Sequence, residues 1–183
     1  GEKLRNGSTV SGIQGEEVFA YQVKGGFGET FCDRELQVLI SEKLPSLLLT
    51  VEDTSFLEKD LEADKKKYAQ TGELLLLDPS GEAVLTDHLE KLRVRGNLTA
   101  TLDKKPYTFT LSKEASVCGM APARKWNLIA NATDGSYMRN KIVLDLANRA
   151  VGTEGYEPDG EFVELFMNGE YQGLYLITEA VEI

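Results

Sequence analysis

The stretch that decides the fold reads FVELFMNGEYQGLYLIT and spans residues 162–178. Two apolar runs lie on either side of the Asn-Gly pair at 168–169, the dipeptide best suited to the positive φ values of a type I′ turn. The stretch therefore predicts a β-hairpin with strands over 162–167 and 170–178. Gly173 interrupts the second strand, which indicates close approach by another backbone or by a ligand.

Other short apolar segments, separated by turn residues, extend this β pattern over most of the chain. They predict strands at residues 18–23, 35–40, 47–51, 74–77, 82–85, 91–95, 99–102, 107–111 and 125–130. The charged segment 55–70 has helix-forming residues with little apolar periodicity, and we expect an exposed helix or an ordered loop there.

One principal helix is predicted after residue 134. Asp134 or Ser136 can cap it by accepting an orphan backbone N–H. Apolar residues recur at every fourth position, and we expect them to form its buried face: Met138, Ile142, Leu146 and Ala150. The predicted fold class is α+β, a mostly antiparallel sheet with one principal helix.

Composition excludes two classes of partner. The chain has 30 acidic and 20 basic residues in 183, a net charge of −10. Nucleic acid and anionic membranes need clustered Lys and Arg, so we expect neither as a main partner. No apolar run approaches the roughly 18 residues of a membrane helix, so no membrane insertion is expected.

Cys32 and Cys118 are predicted to be unpaired thiols, although one bridge in an oxidising compartment is an alternative. One histidine offers no zinc site.

The basic residues form a pattern on one predicted strand. Lys91, Arg93 and Arg95 alternate with Leu92 and Val94, which gives one cationic and one apolar face. Guanidinium groups bind phosphate bidentately, so Arg93 and Arg95, together with Lys105, are candidates for a phosphate site. The alternative is a solvated strand face balanced by the acidic surface.

Two further cations lie at the start of the predicted helix. Arg139 and Lys141 oppose the helix dipole, which favours anions at that end, so a carboxylate or phosphate partner is expected for one of them. Arg139 is the better candidate. The alternative is an exposed first turn.

Several segments together resemble the N-terminal half of the CotH spore-coat kinase family over residues 44–183. They are Leu44-Pro45-Ser46-Leu47, Arg95-Gly96-Asn97 with Thr99, Lys104-Lys105-Pro106-Tyr107, Lys125-Trp126-Asn127-Leu128, Arg139-Asn140-Lys141, Phe162-Val163-Glu164-Leu165, and Asn168-Gly169-Glu170-Tyr171 followed by Gly173, Tyr175 and Leu176.

The resemblance implies an atypical protein-kinase-like fold, in which a β-rich small lobe holds ATP and a helical large lobe supplies the acids that bind metal. Residues 44–183 would then be a small-lobe region truncated before the large lobe. Residues 1–43 would be an N-terminal β-hairpin segment, a possible remnant of a preceding β module. The residues that would bind the nucleotide are Arg93, Arg95, Asn97, Lys105, Arg139, Lys141 and Glu179. No catalytic residue and no metal ligand is assigned. The resemblance implies ATP and Mg for the parent protein, and we expect neither to bind this chain tightly.

Two departures from the family pattern favour a degenerate nucleotide site. Leu98 and Ala100 stand where the family usually has a serine and an aromatic residue. Thr110 stands where it usually has a strand lysine, the kind of residue that holds nucleotide phosphates.

Function is predicted on the same basis as the N-terminal part of a CotH-like atypical kinase that phosphorylates a surface or secreted protein, inactive as this chain. The alternative is a non-catalytic β-rich interaction module of an extracellular or cell-surface assembly. The partner would be a protein substrate or a surface-assembly protein, and the location extracellular or on the bacterial cell surface.

Overall fold

The computed structural model describes residues 16–24, 30–39, 43–53, 69–151 and 159–180, and only the backbone in the first two ranges. The chain divides into two compact units, Gly1–Glu42 and Lys43–Ile183. In the first, β1 (Glu16–Lys24) pairs antiparallel with β2 (Thr30–Leu39) as a two-stranded sheet. Most of the segment 55–70 lies outside the described residues, so the prediction made for it stays a prediction.

In its described residues, the second unit contains seven strands, one α-helix and a short 3-10 helix. These are β3 (Ser46–Val51), β4 (Gln70–Leu77), β5 (Ala83–Val94), the 3-10 helix (Leu98–Thr101), β6 (Tyr107–Ala115), β7 (Ala123–Ile129), α1 (Arg139–Val151), β8 (Gly160–Met167) and β9 (Glu170–Glu179). The strand predicted at 99–102 is wrong, since the 3-10 helix occupies it.

The seven strands form a closed barrel in the order β3-β4-β5-β6-β7-β9-β8. The barrel is closed by a parallel pair, in which β3 lies beside β8, while the other pairs are antiparallel. The predicted fold class, an α+β sheet resembling the small lobe of a kinase-like fold, is therefore wrong. The described part of this unit is mostly β-strand. Its barrel contains both parallel and antiparallel pairs, and α1 lies outside the barrel. Local alternation predicts strands but not the pairing of segments more than a hundred residues apart, and that pairing removes the open edges.

The closing seam depends on the predicted hairpin. Asn168 and Gly169 have φ values of 50° and 83°, which confirms the turn. The Asn168 side chain then reaches across to the end of β3. Its Oδ1 accepts a hydrogen bond from the Val51 N–H at 2.8 Å, and its Nδ2 donates to the Val51 carbonyl at 2.9 Å. The hairpin turn thus continues the hydrogen bonding of the seam past its last backbone pair.

The barrel interior is filled by alternate residues of the seven strands. Its largest fully buried side chains are Trp126, Tyr175, Phe109, Leu47, Leu49, Leu74, Leu76, Leu89, Leu92, Leu111 and Leu128. The opposite face of each strand lies outside, so polar residues placed between these positions point away from the core.

Helix α1 presents a different face to the barrel from the one predicted. Met138, Ile142 and Leu146 are 42%, 49% and 58% exposed, so the predicted buried stripe is wrong. Leu144 packs instead against β8, where a Cβ at Gly160 would lie 2.9 Å from the Leu144 Cδ1. The apolar period identifies a stripe on the helix, but it does not say what covers that stripe.

Asp134 is the helix cap, as one of the two predictions had it. Its Oδ2 accepts from the Arg139 N–H at 3.0 Å, and its Oδ1 accepts from the Ser136 N–H and hydroxyl. No helix in the described ranges is long and apolar enough to cross a membrane.

Candidate functional site: a basic trough on the outside of the barrel

A β-bulge in β5 puts its basic residues on the outer surface. Asp87 and Leu89 are buried, and after the register shift between Leu89 and Lys91 the buried positions become Leu92 and Val94. A bulge inserts one extra residue and so changes which residues face inward. The intervening basic side chains, at 91 and 93, consequently face away from the core.

Two rows of residues cross β5, β6 and β7 on this outer face. Directly opposed residues of antiparallel strands share a face, so each row is a set of neighbours. The first row is Lys91, Thr110 and Lys125, and the second is Arg93, Thr108 and Asn127. In the second row the Thr108 hydroxyl donates to the Asn127 Oδ1 at 2.6 Å, and the Asn127 Nδ2 lies 3.5 Å from the Glu179 carbonyl oxygen.

These rows line two adjoining depressions. The smaller, about 380 Å³, is lined by Arg93, Arg95, Gly96, Asn97 and Asn127 among others. The larger, about 650 Å³, includes Lys91, Thr110, Glu114 and Arg124. Four residues line both: Arg93, Thr108, Lys125 and Ala180. We call the two together the basic trough, because their shared wall makes them continuous.

The trough is strongly cationic in an acidic protein. Its lining contains five basic residues, Lys91, Arg93, Arg95, Arg124 and Lys125, and one acid, Glu114. The net charge of the whole chain is −10. The Arg124 guanidinium donates to the Glu90 Oε2 at 2.5 Å and to the Leu111 carbonyl at 3.0 Å. The trough therefore concentrates positive charge on a protein whose remaining surface is acidic and repels anions.

Arg93 and Arg95 lie two residues apart in the lining of the smaller depression. Neither side chain forms an ion pair within the described ranges. Burial, with a contribution from the charge of Arg93, lowers the pKa of Arg95. An anion bound between the two guanidinium groups would relieve this repulsion and replace the water that burial removes.

The Gly96-Asn97 turn brings backbone into the same depression. Gly96 has φ 86°, and a Cβ there would lie 2.0 Å from the Thr99 Oγ1. Only glycine fits this close approach. Asn97 then opens the 3-10 helix, its carbonyl accepting from the Ala100 N–H at 3.1 Å.

Lys105 lies elsewhere. Its ammonium donates to the carbonyls of Ala100 and Leu102, both at 3.2 Å, so it holds the last turn of the 3-10 helix. The sequence prediction had placed it beside the two arginines, and the structure does not bring it to the trough lining.

The two helix cations also lie outside the trough. Arg139 is 80% exposed, with its Nε 3.6 Å from the Asp134 Oδ1. Lys141 donates to Asp145 at 2.9 Å and Glu161 at 3.3 Å. Burial lowers the pKa of Lys141, but these two hydrogen-bonded carboxylates outweigh it and raise the pKa overall. The expected carboxylate partners therefore exist within the chain.

Glu179 closes β9 beside the trough with its side chain buried, only 3% of the residue being exposed. Glu179 does not line the trough, but its backbone carbonyl lies 3.5 Å from the Nδ2 of Asn127, which does. The adjacent Ala180 N–H donates to the Lys125 carbonyl at 3.0 Å.

Lys104 lies outside the trough lining and is held by groups of the same chain. Its ammonium donates to the Leu174 carbonyl at 2.5 Å and lies 4.7 and 4.6 Å from the ring centres of Tyr137 and Tyr175. Burial lowers its pKa. Gly173, at φ 96°, lies beneath it, so the group closest to this glycine is a lysine side chain.

Lys91, Thr110, Arg124 and Lys125 were not predicted as site residues. Each lies on a predicted strand or next to one, but their proximity depends on the register of three strands. A sequence pattern does not fix that register. In the described ranges, no three His, Cys, Asp or Glu side chains are grouped so that they could hold a metal ion.

The residues that line the trough, apart from Lys91, lie in the part of the chain that matches a known family. Residues 92–183 match the family model described as CotH kinase protein. The inner spore coat protein H of Bacillus subtilis (strain 168) is 35% identical over 88 residues, which are 48% of this chain and 23% of that protein. The matched segment thus spans less than a quarter of the relative's length. Because the family match covers half of the sequence, the chain belongs to the CotH family.

Proposed function

We propose that this chain binds the phosphate groups of ATP in the basic trough, as the N-terminal part of a CotH-like protein kinase. Membership of the CotH family supports the enzyme class, and the adjacent Arg93 and Arg95 support the binding. These two guanidinium groups, without a carboxylate partner among the described residues and with the pKa of Arg95 lowered, are the observation that carries the proposal.

The donors of the trough fit a phosphate group. Guanidinium groups present paired N–H donors to phosphate oxygens, and threonine hydroxyls and asparagine amides complete such a site. Arg93, Arg95 and Asn97 would hold the phosphate in the smaller depression. When bound, ATP supplies the phosphoryl group, while the chain's own residues bind and orient it.

The chain alone is proposed to bind without catalysing transfer. Phosphoryl transfer needs acidic residues that hold the metal and orient the acceptor hydroxyl. We assign none in this chain and attribute them to the parent protein. The acceptor would be a surface or secreted protein of a bacterium. The relative's name places it in the inner spore coat, and we propose a cell-surface or spore-coat location for this chain too.

Thermal melting with Mg-ATP tests this binding. Ligand at ten times its dissociation constant should add about 1.4 kcal/mol to the free energy of unfolding. Because we expect weak binding, the titration extends to millimolar nucleotide. Arg95→Met should remove most of the shift, since a hydrogen bond to a charged group contributes about 1.5–3 kcal/mol.

The matched control is Arg149→Met, which removes an exposed arginine of α1 far from the trough in sequence and on another element. It should leave the shift unchanged. An equal loss in both variants, or no shift for the wild-type chain at millimolar Mg-ATP, contradicts the proposal.

A second candidate function is a non-catalytic interaction module in a surface assembly. The exposed apolar face at the start of α1 favours it: Met138, directly before the helix, and Ile142, Val143 and Leu146 on it are between 42% and 64% exposed. Singly exposed apolar residues are ordinary, but a group of four on one surface is typical of a contact site. Binding to purified coat proteins that Ile142→Gln abolishes and Arg95→Met leaves intact would favour this candidate.

A further inference from the structure

We infer that β5 has a free edge that binds an extended segment of another protein by strand addition, with one apolar side chain of that segment in the cavity beside the edge. The site lies at the end of the barrel where β5 begins and β6 ends. It does not depend on the proposed nucleotide binding, because neither this part of β5 nor the cavity contributes to the trough lining.

The ladder between β5 and β6 stops before either strand ends. Its last pair is Leu89 with Leu111, although β5 begins at residue 83 and β6 continues to residue 115. On the other side, β5 stays paired with β4 as far as Ala83. Among the described residues, the stretch 83–88 therefore has β4 as its only strand partner. A strand paired on one side presents unpaired N–H and C=O groups on the other.

Asp87 marks the point where the two strands separate. Its Oδ1 accepts hydrogen bonds from the His88 N–H at 2.8 Å and from the Ser112 hydroxyl of β6. Burial raises the pKa of Asp87, but hydrogen bonds from Ser112 and from the backbone of His88 and Lys113 outweigh it and lower the pKa overall. The carboxylate is therefore ionised at neutral pH, and it takes the place of further ladder bonds between the strands.

The second oxygen of this carboxylate lacks a donor. Asp87 is 92% buried, and its Oδ2 has no hydrogen-bond partner in the part of the chain that the structure describes. Buried polar atoms without a partner are uncommon in native proteins. A backbone N–H of an added strand is a donor of the kind that this oxygen lacks.

A cavity lies beside the free edge. Its volume is about 540 Å³, and its lining includes Leu76 of β4, Val84 of β5, and Ser116 and Cys118 of the loop after β6. This volume falls within the roughly 300–1,000 Å³ that is typical of ligand pockets. Val84 is 57% exposed, so the chain itself leaves apolar surface uncovered between the separated strands. An apolar side chain of a bound segment has space there.

An extended segment satisfies the edge and the cavity together. Its main chain pairs with the free edge, and its alternate side chains lie on one side, so one of them can enter the cavity. A second copy of this chain would bring a net charge of −10 against the same charge, whereas a segment with basic ends would be attracted. We therefore assign the edge to a segment that is apolar at its centre and basic at its ends.

The probe for this site is a synthetic peptide, Lys-Thr-Val-Thr-Leu-Thr-Lys, acetylated and amidated. Isothermal titration measures its affinity for the whole chain. Two matched peptides carry N-methyl groups on alternate residues, one at the odd and one at the even positions. Because an edge strand pairs through alternate residues, one methylated peptide should lose affinity about tenfold or more, and the other should bind like the unmodified peptide.

A matched pair of protein variants tests the cavity. Val84→Lys puts a charge into the apolar lining and repels a basic peptide, so it should reduce the affinity about tenfold. Val143→Lys makes the same change on α1, where the residue is 64% exposed, and it should bind the peptide like the wild type. Arg95→Met should also bind the peptide normally, since it alters only the trough.

Amide hydrogen exchange shows where the peptide binds. Within residues 83–88, the amides that face away from β4 should exchange rapidly in the free chain and slowly with saturating peptide. No binding at millimolar peptide, equal affinities for the two methylated peptides, or protection confined to α1 would overturn the inference. Protection that the free chain already shows and loses on dilution would overturn it too, because a second copy would then occupy the edge.

Discussion

Asn168 offers a quantitative test of how the barrel closes. Its side chain makes two hydrogen bonds to the backbone of Val51, at 2.8 and 2.9 Å, across the parallel seam. Val51 is 95% buried, so water cannot easily replace the lost partner. Replacing Asn168 by glycine removes both bonds and keeps a residue that tolerates φ 50°.

Each bond contributes about 1 kcal/mol net, which gives about 2 kcal/mol for the pair. Glycine lowers the free energy of unfolding by up to about 1 kcal/mol more, because it gives the unfolded chain more conformational freedom. Asn168→Gly should therefore lower the free energy of unfolding by about 2–3 kcal/mol. For a barrel unit of this size, that corresponds to a melting temperature roughly 8–12 °C lower. Urea unfolding followed by circular dichroism measures the free energy directly.

Asn168→Asp serves as a matched variant without the glycine effect. Its carboxylate can still accept from the Val51 N–H but cannot donate to the Val51 carbonyl, so the loss should be at least that of one bond. A decrease of less than about 1 kcal/mol in Asn168→Gly would refute the reasoning, because unfolded-state freedom alone would account for it.

Three other results follow from single positions. Gly96→Ala should destabilise the chain more than Gly81→Ala in urea unfolding: both glycines have φ near 85°, but a Cβ at Gly96 would lie 2.0 Å from a threonine hydroxyl and one at Gly81 meets nothing within 4 Å. Equal losses of unfolding free energy in the two variants would show that the turn at Gly96 has room for a Cβ. Asp134→Ala should lower the free energy of unfolding at neutral pH through loss of the helix cap. Backbone and hydroxyl hydrogen bonds lower the pKa of Asp134, so the difference between the two proteins should vanish as the pH falls below about 4 and through that lowered pKa; a cost that is constant with pH would contradict this. Burial, and then the charge of Glu161, raise the pKa of the Cys118 thiol to about 12. In a variant without Cys32, Cys118 should therefore react with iodoacetamide at pH 8 roughly a thousandfold more slowly than a free thiol. Alkylation of Cys118 at the free-thiol rate would contradict this prediction.

The strands and the decisive turn are predictable from sequence because their signals are local. The Asn-Gly pair needs no knowledge of the rest of the fold, and alternation shows which residues of each strand share a face. Barrel closure is not local. It joins β3 to β8, and the critical contact is the reach of Asn168 to Val51, 117 residues away.

The trough was only half predictable for the same reason. Arg93 and Arg95 lie two residues apart on one predicted strand, so their common face follows from period two. Lys125 joins them through two strand registers and a bulge, none of which leaves a sequence pattern. The structure does not bring Lys105 to the trough lining, because its ammonium donates to two backbone carbonyls, and sequence spacing does not reveal such bonds.

The prediction of a buried apolar stripe on α1 was wrong for a different reason. Periodicity identifies an apolar face, but a helix packs wherever the larger partner accepts it. Here the opposite face, with Leu144 and Lys141, meets β8. The apolar face is left exposed, and Lys141 donates a hydrogen bond to Glu161 of β8 at 3.3 Å.

The most direct test of the central claim is an NMR titration of the 20.2 kDa chain with Mg-ATP, observed at the backbone amides. Phosphate binding in the basic trough predicts saturable chemical-shift changes confined to residues 91–97, 108–110 and 124–127, and their loss in Arg95→Met. No change at millimolar nucleotide, or changes confined to α1, would contradict the claim.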